Sequence, residues 1–335
     1  MVLRDDEIWT SFDVAMAACG VDVFFVISGF VVAMSAARAV SARSFMMDRM
    51  LRVLPLYFVV SAAFVAKRIL SGEGLTADLV VNSVLFLPLL EMDDYSGTVH
   101  PYGWSIAYEM WFYALLALLI GTVAKTGAAA AILCASVLAA GCVVTSLVYN
   151  GAWLLPRFVF GPLVLEFAAG CALYVFRDKL KACVRHAWTV LPLCLIALPF
   201  TSYLGYPMEI IGRTDMSFAR VLIWGGLAVS LFVLFYAAEK TVRWPKWLVA
   251  LGTASYSIYM IQPFVVPAVR QLALTGSARV AVFFVLSTLG GWLMYLWFER
   301  PLLAFVRSWA GRSEAPMLPM KGAVFAALRS LRSSA

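Results

Sequence analysis

The sequence predicts an all-α fold, a polytopic integral membrane helix bundle, and three observations predict it. Hydrophobic residues make up 63% of the 335 and charged residues only 13%. Mean hydropathy is +0.89, far above that of a chain folding around one core in water. The apolar residues also come in runs long enough to cross a hydrocarbon layer of about 30 Å as helices. A water-soluble globular enzyme is thereby excluded. The excess of 26 basic over 19 acidic residues suits loops facing anionic lipid and calls for no nucleic acid.

Residues 1–14 carry Arg4, Asp5, Asp6 and Glu7 and read as an extracytoplasmic remnant without a signal peptide, since no apolar core precedes a cleavage site. Apolar windows follow at about 15–37, 52–69, 105–123, 128–149, 158–176, 188–205, 218–238, 247–269 and 279–299, about nine spans. A tenth, about 76–90, is shorter, is interrupted by Asn82 and Pro88, and either spans or lies half-buried on one side. Positive charge favours the second reading. One face then collects most of the 26 Lys and Arg, from loops 38–52, 124–127, 177–187 and 239–246 and from the tail, which makes that face and the C-terminus cytoplasmic. With nine spans the chain as written begins outside with no helix to carry it there, so a preceding helix is expected. Residues 15–301 form one transmembrane domain, and 302–335 a basic cytoplasmic tail, amphipathic at the surface or disordered. Six cysteines show no paired spacing. Cys134, Cys142, Cys171 and Cys194 lie in apolar runs and read as buried small hydrophobes, not as a disulfide frame or metal site.

A carboxylate inside a membrane-length apolar segment costs about 2.5 kcal/mol or more unless it faces protein, water or a partner. Acidic residues within the windows are therefore the first site candidates. The stretch GWSIAYEMWFY, residues 103–113, holds Glu109, with Ser105 four residues earlier on the same helical face and Trp104 and Tyr108 beside it. Snorkelling at the headgroup level is the alternative. Asp22, in GVDVFFVISGF, is either a second site carboxylate or a cap near the outer interface, and Ser28 with Gly29 makes a notch permitting close helix approach. Glu166, in LEFAAG, has small neighbours that suggest a helix contact.

At the cytoplasmic mouth of the second window, Arg49 and Arg52 stand at i and i+3. Both guanidiniums project from one face, where a phosphate-rich ligand or lipid phosphate can be gripped. In LGTASYSIYMIQP, Ser255, Tyr259 and Gln262 share a face and either line a polar cavity or bond between helices. FERP, with Glu299 and Arg300, is a charged stop to the last span. Glu109 falls at the outer end of its helix and the arginine pair at the opposite face, so a catalytic role for both needs a donor that threads the membrane.

Taken in order from about Gly20 to Pro301, the segments GVDVFFVISGF, RMLRVLP, GWSIAYEMWFY, LEFAAG, LGTASYSIYMIQP and FERP resemble the membrane acyltransferase-3 family. GWS-x-x-YEM-x-FY is similar to its exopolysaccharide-production (ExoZ-like) branch. The resemblance implies a multi-pass O-acyltransferase of the bacterial inner (plasma) membrane, usually of ten helices. Such enzymes take an acyl group, often acetyl, from acyl-CoA on the cytoplasmic side and place it on a sugar hydroxyl of an exopolysaccharide or other cell-surface or lipid-linked glycan. The implied partners are acyl-CoA (acetyl-CoA) as donor substrate, a polysaccharide or lipid-linked glycan acceptor and membrane lipids, with no bound cofactor and no metal. By the same resemblance Arg49 and Arg52 bind the donor, and Glu109 is the carboxylate of the W-S-x-x-x-E motif. The catalytic candidates are Glu109, Ser105 and Asp22; the candidates for lining the cavity are Trp104, Tyr108, Ser255, Tyr259 and Gln262.

Two departures from the family pattern matter. Family members carry a first-helix histidine taken as base or acyl relay, and no such helix is present; the two histidines of this chain are His100, in the outer loop before Trp104, and His186, in the loop 177–187. Transfer to a sugar hydroxyl wants a base poised near neutrality, which histidine supplies best. The chain as given is therefore expected to be inactive unless upstream sequence restores that helix, and His100 serves only if its loop folds into the cavity. Gln262 stands where many relatives place a histidine, and an amide orients a hydroxyl but cannot take its proton. A transporter or flippase of lipid-linked glycan, for which no inverted repeat is visible, and a non-catalytic partner of a polysaccharide-synthesis complex are the alternatives.

Overall fold

The computed structural model describes residues 11–86, 98–123, 126–148, 154–203, 218–239, 241–272, 274 and 276–311, and all regular structure among them is helical. Helix α1 runs Ser11–Ala36, α2 Ala42–Leu70 and the short α3 Ala77–Leu85. Next come α4 Gly103–Thr122, α5 Gly127–Val148, α6 Leu154–Phe160 and α7 Val164–Val175. A 3-10 stretch, Arg177–Cys183, leads into α8 Val184–Tyr203. Helix α9, Phe218–Ala238, contains a π turn at Val221–Gly225. Helices α10, Lys246–Thr253, and α11, Ser255–Arg270, are bent by 69° against each other. Helix α12, Gly276–Met294, passes through a π turn, Tyr295–Glu299, into α13, Arg300–Trp309.

Each of the nine apolar windows falls on a helix or a bent pair. Seven helices among the described residues are long and apolar enough to cross a membrane, eight if α10 and α11 make one span, and Gly20–Ala36 within α1 is a shorter apolar helix. The protein is thus a multi-pass membrane bundle. The tenth window holds α3, whose nine residues cover only about 13 Å. That helix stops at Phe86 in the left-handed conformation, φ 58°; residues 87–90 of the window lie outside the described residues. So do residues 1–10 of the expected remnant and 312–335 of the expected tail, whereas 302–309 continue the chain as α13.

The chain divides into two compact units, residues 1–49 with 67–241, and residues 50–66 with 242–335. In the first, α1 is the central element and packs on α7, α9, α5 and α4. Its tightest crossing is glycine on glycine. A Cβ on Gly29 would stand 2.2 Å from the Phe167 carbonyl, and one on Gly170 2.2 Å from that of Val26. The notch expected at Ser28–Gly29 is therefore a place where two backbones touch. Aromatic rings fill the space beside it: Phe25 meets Trp104, Tyr108 and Phe112 edge-on, and Phe112 stacks on Phe167 at 3.9 Å.

At one end of this unit a Cβ on Gly127 would lie 2.0 Å from Ala37 Cα, so the α1–α2 and α4–α5 connections meet. The charge count places both on the same face. Entry to α2 is fixed by Ser41, whose hydroxyl accepts the Ser44 N–H at 3.1 Å, and its last turn carries Lys67 and Arg68, where positive charge complements the helix dipole.

In the second unit α11 and α12 pack closely, with Gly291 set so that a Cβ would come 2.3 Å from Ile258 Cα. The middle of α2 joins them through Phe64, whose ring lies 4.2 Å from that of Phe264, and through Val53, whose carbonyl accepts the Tyr256 hydroxyl at 3.0 Å.

Candidate active site

Glu109 lies two turns into α4 and is only 7% exposed, so it does not snorkel. Tyr113, one turn further in, donates its hydroxyl to Glu109 Oε1, and Ser28 of α1 donates to the same oxygen at 3.4 Å. The Arg49 guanidinium stands 6.0 Å from the centre of the Tyr113 ring and donates to Ser35 Oγ at 2.5 Å. Ser28 and Ser35 are seven residues apart on α1 and so share a face. These contacts make one continuous line, Ser28–Glu109–Tyr113–Arg49–Ser35, built by α1, α2 and α4. A single tyrosine thus bridges the interval between Arg49 and Glu109 that the sequence left as a membrane crossing.

Ser105, expected to work beside Glu109, is buried but donates to the Tyr102 carbonyl at 2.9 Å, in the turn that opens α4. The hydroxyls on Glu109 come instead from Ser28 and Tyr113. Tyr113 had a signal in the sequence, its i+4 spacing from Glu109; Ser28 had none beyond its small size.

Asp22 is fully buried and caps nothing, because α1 begins eleven residues earlier at Ser11. It is held by Arg220, whose Nε and Nη2 donate to its two oxygens at 3.1 and 2.9 Å, the paired geometry that suits guanidinium to carboxylate. The Arg220 guanidinium lies 4.6 Å over the Trp224 ring. Glu166 of α7, 1% exposed, stands close enough to Asp22 and Arg220 for their charges to act on it, and Tyr108 is within the field of Arg220 and Glu166. Arg220 is the partner of Asp22 that the sequence concealed. It sits three residues into its helix, where a basic side chain reads as an interfacial anchor. Tyr108 and Glu109, neighbours in sequence, are turned about 100° apart by the helix and belong to these two different clusters.

In the second unit Ser257 donates to Glu299 Oε2 at 2.5 Å, and both are buried. Arg52 lies near enough to Glu299 for charge to act between them, so the FERP carboxylate does more than end a span. The expected face of Ser255, Tyr259 and Gln262 is not the buried one. Ser255 is exposed and Tyr259 and Gln262 half-buried, while Ser257, Met260, Pro263 and Val266 form the inward stripe. Helix α11 restarts at Ser255 after the bend, and its phase follows the apolar stripe and the Glu299 contact.

His100 is folded in and fully buried ahead of α4, where its Nδ1 accepts the Tyr102 N–H at 3.1 Å. With Nδ1 accepting, the hydrogen of a neutral ring sits on Nε2, so in this arrangement His100 donates and does not take up a proton. His186 is exposed in the first turn of α8, not in a loop. Trp104 is half-buried against Phe25, ring centres 6.4 Å apart. Among the described residues no group of three or more His, Cys, Asp or Glu is placed to hold a metal.

A multi-pass bundle with a buried carboxylate tied through a tyrosine to a fixed cation has the parts of a membrane-embedded group-transfer enzyme. A family model described as an acyltransferase domain matches residues 2–297. The chain belongs to that family and is an acyltransferase. It is similar to the "Exopolysaccharide production protein ExoZ" of Rhizobium meliloti (strain 1021), 34% identical over 303 residues that cover 86% of this chain and 90% of that protein. It is also similar to "Nodulation protein 10" of Rhizobium leguminosarum bv. viciae, 32% identical over 127 residues, 32% of this chain and 35% of that one. No solved structure matches it.

Proposed function

We propose that this acyltransferase moves an acyl group, acetyl first among candidates, from acyl-CoA to a hydroxyl of an exopolysaccharide or related cell-surface glycan. It does so in the bacterial inner membrane, with the donor and the C-terminus on the cytoplasmic side. The observation that carries this reading is the line from half-buried Arg49 through buried Tyr113 to buried Glu109, and the name of the ExoZ relative supports the choice of acceptor. Arg49 has donor capacity to spare, since its buried Nε meets no acceptor, and a coenzyme A phosphate is the kind of group that a guanidinium takes best. Arg52, the other candidate for donor binding, belongs to the second unit, beside Glu299.

Chemically, the acceptor hydroxyl oxygen bonds to the thioester carbonyl carbon, the carbon–sulfur bond breaks, and the hydroxyl proton ends on the coenzyme A sulfur. Glu109, ordered by two hydroxyls, orients the acceptor hydroxyl. Ser105 fixes the turn from which α4 presents Glu109, Trp104 and Tyr108, and Asp22 stands on α1 toward the acceptor side.

The test uses membranes carrying the protein, labelled acetyl-CoA and de-O-acylated glycan. Glu109→Gln is expected to lower transfer by about a hundredfold, the size of effect typical of a lost transition-state contact, and Arg49→Ala to raise the KM for acetyl-CoA. Full transfer by Glu109→Gln would remove Glu109 from the chemistry, and no transfer by a chain that also carries the family's first-helix histidine would reject the reaction.

A further inference from the structure

The cluster of Asp22, Glu166 and Arg220 lies apart from the donor line, and its polar atoms do not balance. Arg220 meets both oxygens of Asp22. Glu166 stands against that pair, almost wholly buried and within hydrogen-bond reach of Asp22, and no N–H or hydroxyl donor meets either of its oxygens. Trp224, buried and stacked on Arg220, has an indole N–H with no acceptor. Gly225 follows, and a Cβ there would stand 3.3 Å from Glu166 Oε1. Buried polar atoms are costly to leave unmet, so each one in a native fold asks for a partner.

What those atoms lack defines the partner. The Glu166 oxygens keep lone pairs to accept with whether or not the carboxyl shares a proton with Asp22, and an indole N–H only donates, so one group that meets both gives and takes hydrogen bonds at a single atom, which a hydroxyl does. An anion would leave the Glu166 oxygens unmet, and a cation would leave the indole N–H unmet. Asp22 is two residues from exposed Gly20, and Arg220 two from exposed Phe218. Arg220 is thus within about one helical turn of the start of α9, and on α1 Asp22 lies beyond Ser28 from Ser35, away from the Arg49 side.

We propose that Glu166 and Trp224, backed by the Asp22–Arg220 pair, form the subsite that receives hydroxyls of the acceptor sugar. The proposal rests on the acyl-transfer reading only for the choice of a glycan as ligand. Glu166 and Trp224 bind and position the sugar here, and the bonds made and broken in transfer are unchanged.

The test is binding without donor. Purified full-length protein in detergent is titrated with oligosaccharides from de-O-acylated exopolysaccharide of the cell that makes it, and the thermal unfolding midpoint is followed. The oligosaccharides are expected to raise the midpoint of the native protein. Glu166→Gln and Trp224→Phe are each expected to need about tenfold more sugar for the same rise, one hydrogen bond to a charged or buried group being worth about that factor. Without sugar, Glu166→Leu is expected to melt at or above the native midpoint, since it loses a carboxylate that no donor meets. A native midpoint that sugar leaves unmoved overturns the proposal. So does a native-like response from Glu166→Gln, which a proton shared with Asp22 or a resident water would then explain. So does a Glu166→Leu protein that melts well below the native one, because the carboxylate would then be holding the bundle together. A normal sugar response alongside no transfer of label would reject the acyl-transfer reading and leave this one standing.

Discussion

Arg220 shows how much one side chain decides. Its two bonds to Asp22 are made at 3.1 and 2.9 Å with both groups buried. Removing one partner of such a pair strands a charge in an apolar surrounding, typically at a cost of about 3–5 kcal/mol. Arg220→Met is therefore expected to lower stability by about that amount, and Asp22→Asn added to it to recover most of the loss, as read from unfolding in detergent. A single variant as stable as the native chain would mean that the pair is no anchor. At this scale the carboxylates were legible in the sequence, because Asp22, Glu109 and Glu166 are expensive wherever an apolar window holds them. Their partners were not. Asp22 and Arg220 are 198 residues apart, and no local periodicity reports a pairing at that separation. Ser257 was hidden likewise, since its role is set by Glu299 from another helix.

At the scale of elements, the crossing of α1 and α7 is the tightest constraint in the first unit. With 2.2 Å between a Cβ on Gly170 and the Val26 carbonyl, even alanine forces the two helices apart, and overpacking of this kind typically costs about 1–3 kcal/mol or more. Gly170→Ala is expected to lower the unfolding midpoint and Gly170→Leu to abolish folded protein; a native midpoint for the alanine variant would show that the crossing yields. The helices themselves could be read from apolar run length. Their interruptions could not. Between α6 and α7, at the 69° bend before α11 and at the π turns the composition stays apolar, so hydropathy passes straight over the break. The phase of α11 is reset at Ser255, so the bend decides which of its residues face inward, and hydropathy does not report it.

For the molecule as a whole, the family and the multi-pass architecture were both within reach of the sequence, the first through six ordered segments and the second through hydropathy. The distribution of charge predicted which connections share a face, and the contact of Gly127 with Ala37 agrees with it for two of them. Asp22, Ser28 and Ser35 follow one another along α1, about 20 Å from first to last in a hydrocarbon layer of about 30 Å. In the proposed orientation the thioester carbon must be carried outward from the phosphates held at Arg49 until it meets the acceptor hydroxyl, so the sulfur leaves where the hydroxyl proton is released. That proton passes between neighbouring atoms and crosses little of the membrane voltage. Transfer in sealed, energised membranes is expected to keep its rate when an ionophore abolishes the potential, and a loss of about tenfold would show that a charge crosses in the slow step. The length of α1 between Ser35 and Asp22 thus sets how far the arm of a donor must reach.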